Sequence, residues 1–110
     1  MKKLLFLVLL LAFVSVAYAD SYEAKTVDDT AGGVALTAAT YGRARSAMCR
    51  LETAPVRYTT DGSTAPTTTV GILVNPMEWI VLGNAGEIRN FKAIRTGASS
   101  GSLRCFYFTD

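Results

Sequence analysis

The stretch Val56–Leu82, VRYTTDGSTAPTTTVGILVNPMEWIVL, holds three short runs rich in β-branched and aromatic residues, VRYTT, GILV and EWIVL, separated by DGSTAPTTT and NPM. Each run is strand-length, and the intervening Gly, Pro, Asn and Asp residues punctuate turns. Moving outward, VALTAATY and SAMCRLE precede this stretch, while IRNFKAIR and SLRCFYF follow it, with GRAR, TAP, GNAGE and TGASSG in between. About seven such runs at short, regular spacing predict an all-β fold, a single antiparallel β-sandwich over residues 34–110. GRARSAM fits one turn of helix, and nothing extends it; no segment keeps a helical period. The polar segment 20–33, DSYEAKTVDDTAGG, reads as a leader that adds an edge strand around Ala24–Val27.

The start of the chain, MKKLLFLVLLLAFVSVAYA, combines Lys2 and Lys3, an apolar run from Leu4 to Val14 and small residues at Ala17 and Ala19. That is the pattern of a secretory signal peptide over residues 1–19, with Asp20 at the mature N-terminus. The apolar run falls short of the roughly 18 residues a spanning helix needs, so no stable membrane anchor is expected. Localisation is therefore expected to be secreted or periplasmic. The chain has eleven Lys and Arg, nine Asp and Glu and no His. Two of the eleven are Lys2 and Lys3, so the remainder is balanced and gives no basis for nucleic-acid binding, which needs a basic excess on one face.

Cys49 and Cys105 are the only cysteines. In an exported chain an even pair reads most simply as a disulfide, and alternation puts Cys49 with Ala47 and Leu51, and Cys105 with Leu103 and Tyr107. A bridge closing so long a loop contributes roughly 4 kcal/mol on the chain-entropy model. Two buried free thiols are the alternative. A catalytic cysteine would lack a histidine base.

Asp61-Gly62 is a strong hairpin or tight-turn signal, because Gly accepts a left-handed backbone and Asp bonds its own backbone two residues on. Read as chemistry, Asp61 lacks a second carboxylate for acid–base work, since the other acids are scattered apart from Asp28-Asp29. As a calcium loop, TTDGST lacks the dense side-chain oxygens of such sites. No catalytic residue, cofactor or metal ligand can be nominated, and the chain is expected not to be an enzyme.

Trp79 sits in a run apolar on both faces, which reads as a core tryptophan; the alternative is a ligand contact, a platform for a sugar ring. Arg43, Arg45, Arg50 and Arg57 cluster in sequence but are expected to spread over different faces as solvated charges. Tyr41, Tyr58 and Tyr107 are expected to pack a ring and keep the hydroxyl in water. Phe106 and Phe108 alternate with Tyr107, and one of these faces is the best candidate for a partner surface, as an apolar patch or through strand addition at an edge.

The segment VRYTTDGSTAPTTTVGILVNPMEWIVLGNAGEIRNFKAIR resembles the Ig-like modules of the chitobiase/β-hexosaminidase C-terminal type, with their YTTDGS hairpin and KA strand. Val27–Phe108 looks still more like small proteins common in tailed-phage genomes, which run from a DTAGGVALTAATY start through ETAPVRYTTDGS to IRNFKAIRTG and a terminal aromatic strand. Both resemblances imply an Ig-like sandwich without catalytic residues. The phage-type one implies a structural or virion-associated module with a protein partner or self-association; the other implies a carbohydrate-binding accessory module.

Overall fold

The computed structural model describes residues 20–110, so the leader assigned to residues 1–19 lies outside the described residues. The strands are β1 (Ser21–Val27), β2 (Val34–Ala35), β3 (Ser46–Glu52), β4 (Val56–Thr59), β5 (Ile72–Val74), β6 (Trp79–Leu82), β7 (Lys92–Arg95) and β8 (Gly101–Phe108). Two short helices interrupt them, α1 (Ala38–Tyr41) and α2 (Ala85–Asn90). One antiparallel sheet has the order β1-β8-β3-β6 and the other β2-β7-β4-β5. The all-β sandwich expected from the strand runs is the fold observed.

Alternation sorts the side chains as a half-buried strand requires. Along β8, Leu103, Cys105 and Tyr107 are buried while Arg104 and Phe106 are exposed. Along β3, Ala47, Cys49 and Leu51 are buried, and Ile80 and Leu82 complete the same layer from β6. The second sheet adds Val56, Val74 and Ala93 to this core. Cys49 lies directly opposite Cys105 in the β3–β8 register, with Cα atoms 4.0 Å apart, and the two form a disulfide. The bridge staples neighbouring central strands of one sheet inside the core.

Two runs differ from the strand expectation. In VALTAATY only Val34–Ala35 pair, and Ala38–Tyr41 form a helical turn whose Thr37 amide donates to the Glu23 carboxylate at 3.0 Å. Before IRNFKAIR extends as β7, its first residues complete α2. The reason is a capping box, Asn84-Ala85-Gly86-Glu87: the Glu87 amide donates to Asn84 Oδ1 at 2.8 Å, and Glu87 reaches back to the Gly83 amide at 2.9 Å. That helix carries Ile88 into the core and delivers Phe91, which stacks on Tyr58 with centroids 5.5 Å apart.

The two sides of the sandwich end differently. At one side, β1 turns Glu23 and Lys25 inward, where Glu23 accepts from the Tyr107 hydroxyl and the Thr37 amide and Lys25 donates to Thr37 Oγ1 at 3.0 Å. Inward charges of this kind blunt an edge against further pairing. At the other side, β5 and β6 are both terminal strands, joined through the turn at residues 75–78. Met77 in that turn has φ +76°.

Candidate interaction face

The outer face of the β1-β8-β3-β6 sheet has no covering layer. Strand register places Tyr22 beside Phe106, Phe106 beside Met48, and Met48 beside Val81, so one apolar side chain from each strand forms a row across the sheet. Tyr22 and Phe106 touch as a tilted pair, centroids 5.1 Å apart. In the next row, Ala24, Arg104, Arg50 and Trp79 stand side by side.

Trp79 is 50% exposed, so the core reading is corrected. Its neighbours Ile80 and Leu82 fill the inner face of β6, but β6 is an edge strand and Trp79 and Val81 point into solvent; Val81 is 65% exposed. A run apolar on both faces need not be covered on both. Arg50 lies over the indole, 5.2 Å from its centroid, a cation–π contact. Arg104 donates to Glu52 at 2.7 Å and to Tyr22 Oη at 2.9 Å, which ties down the other end of the row. Phe106 is 47% exposed, and the Phe106 face of β8 is the open one.

Four further exposed apolar side chains lie in the turn that joins β5 to β6 and around β5, in the other sheet. Met77, Leu73, Ile72 and Val70 are all exposed, and between residues 68 and 83 the only charged residue is Glu78, whose carboxylate accepts from the Asn75 amide at 2.6 Å. Among the described residues, five of the nine exposed large apolar side chains, Tyr22, Met48, Trp79, Val81 and Phe106, share the outer face of the β1-β8-β3-β6 sheet as one apolar band.

The other expected site residues are structural. Asp61 does not cap a two-residue hairpin: β4 and β5 pair across the loop 60–71, and Asp61 makes a local turn inside it. Its Oδ1 accepts the Ser63 and Thr64 amides at 3.2 and 2.9 Å, and its Oδ2 accepts the Thr64 hydroxyl at 2.6 Å. The Thr64 hydroxyl and amide hold the carboxyl down at about 2, so its oxygens serve the turn. Gly62 has φ +79°, as the turn reading requires. Arg57 closes the same loop by donating to Thr68 O at 3.1 Å and Gly71 O at 2.9 Å.

Tyr107 also departs from expectation. It is fully buried, and its hydroxyl donates to Glu23 and does not reach water. Burial, then the Glu23 carboxylate, push its ionisation far above the usual tyrosine range. Burial raises the Glu23 carboxyl, but the bonds from Tyr107 and Thr37 outweigh it and leave it below the usual range. Every buried side-chain nitrogen and oxygen among the described residues has a partner. Among those residues no three His, Cys, Asp or Glu side chains gather as a metal site, and no helix is long and apolar enough to cross a membrane.

Comparison with protein-family models, with curated proteins and with solved structures returns no match.

Proposed function

We propose that this chain is an exported, non-catalytic structural module of phage-related type that assembles with protein surfaces, first of all further copies of itself, through the apolar band. The observation that carries the reading is the gathering of five exposed large apolar side chains, Tyr22, Phe106, Met48, Val81 and Trp79, on the one uncovered face of the β1-β8-β3-β6 sheet. Large apolar side chains side by side on an uncovered sheet face mark an interaction surface more often than singly scattered ones do. The terminal strands β5 and β6 carry no inward charge of the kind that guards β1, so strand addition is open there. Export is supported by the leader sequence and by the buried Cys49–Cys105 bridge, a bond that persists in oxidising compartments. The phage-type origin rests on the resemblance over Val27–Phe108.

Sedimentation velocity from micromolar to millimolar concentration tests the reading. The wild-type coefficient should rise with concentration, and the Phe106→Ser, Val81→Ser double variant should stay monomeric with its circular dichroism unchanged. A wild type that is monomeric throughout, or a variant that associates equally, contradicts it.

A carbohydrate-binding accessory-type module is the second reading, favoured by the half-exposed indole of Trp79 with Arg50 over its ring. Oligosaccharide that quenches tryptophan emission in the wild type, with binding lost in a folded Trp79→Ala variant, would establish it in place of the first.

A further inference from the structure

The seven arginines among the described residues divide into two groups. Four are engaged: Arg50 on the Trp79 ring, Arg57 on loop carbonyls, Arg95 on Asp29 at 3.2 Å and Arg104 on Glu52. The guanidinium groups of Arg43, Arg45 and Arg89 make no hydrogen bond or ion pair with any described residue. These three line one concavity of about 260 Å³, between the loop that follows α1 and the end of α2, and no carboxylate lines it with them.

Gathering three like charges without a counter-charge opposes folding through mutual repulsion, and a concave wall concentrates their field on whatever enters. Guanidinium forks match the oxygens of planar or tetrahedral oxyanions. A carboxylate presents two oxygens and one charge, whereas a phosphate or sulfate group presents three or more oxygens and up to two charges, a closer match to three arginines. The volume lies below the roughly 300–1,000 Å³ of small-molecule pockets, which suits one such group better than a whole metabolite. We propose that Arg43, Arg45 and Arg89 form a binding site for a phosphate or sulfate group, free or carried as an ester. The site stands apart from the apolar band and does not depend on its role.

Amide chemical shifts followed during titration with sodium sulfate, sodium phosphate and glucose 6-sulfate, against sodium chloride at equal ionic strength, test this. Sulfate and phosphate should shift the amides of residues 42–45 and 85–89 saturably, while chloride leaves them in place. Arg45→Gln or Arg89→Gln should weaken the affinity roughly tenfold or more, as the loss of one charge-assisted contact implies. An equal or a tighter affinity for glucose 6-sulfate supports the site, the first assigning it to the free ion and the second to an ester. Shifts that fail to saturate, that chloride reproduces, or that persist undiminished in the folded Arg43→Gln, Arg45→Gln, Arg89→Gln variant overturn the proposal.

Discussion

Gly62 can be replaced only at a cost, for two independent reasons. Its φ of +79° strains any β-branched residue, and a Cβ there would sit 3.1 Å from Asn90 Cγ. Gly62→Val should therefore destabilise the protein by about 1 kcal/mol or more in urea unfolding. Asp61, one residue earlier, acts through the hydrogen bonds that its carboxylate accepts from Ser63 and Thr64. Its folded pKa of about 2 lies below the unfolded 3.8, so its contribution is complete above pH 4 and is lost as pH falls from about 4 to about 2. Asp61→Asn keeps an oxygen for the two amide bonds and should leave the melting temperature near neutral pH almost unchanged. It should also flatten the decline in melting temperature between pH 4 and pH 2, and an identical decline in variant and wild type would refute the assignment. The turn chemistry of this pair was legible because it is local. The burial of the Tyr107 hydroxyl was not, since the Glu23 that receives it lies at the far end of the chain.

Asn84 decides whether α2 forms. Asn84→Ala removes the bond to the Glu87 amide and should cost about 1 kcal/mol in thermal or urea unfolding, with Asn84→Asp close to neutral. The disulfide acts on a longer range, tying β3 to β8 across 56 positions of sequence. Replacing Cys49 and Cys105 together by Ala should lower stability by about 2–4 kcal/mol while the far-ultraviolet spectrum stays that of a β protein. All seven strand runs contain a strand, because β-branched and aromatic content bounded by turn residues is a short-range signal. Helix α2 escaped that reading because Asn-Ala-Gly-Glu lies among turn residues and announces a helix only through its fourth position. VALTAATY was overextended for a related reason: its last residues form α1 beside β1, and the Glu23 that bonds the Thr37 amide stands well before them in sequence.

The sandwich is closed on its β1–β2 side, by inward charges and α1, and open along β5 and β6. Strand alternation marked which side chains share a face, including Phe106, but it carries no information on whether a second layer covers that face. That is why Trp79 read as core. Only the sheet order, which makes β6 an edge and leaves the outer face bare, brings Tyr22, Phe106, Met48, Val81 and Trp79 onto one surface. The same long-range pairing aligns residues from the two ends of the chain in a single row, so no window of sequence contains the band. A dilution series followed by amide and methyl chemical shifts, from millimolar to micromolar, tests the band's role most directly. Self-association through it predicts concentration-dependent shifts confined to Tyr22, Met48, Trp79, Val81 and Phe106. Shifts that are absent at every concentration, or that map instead to β1 and β2 at the charged side, would contradict it.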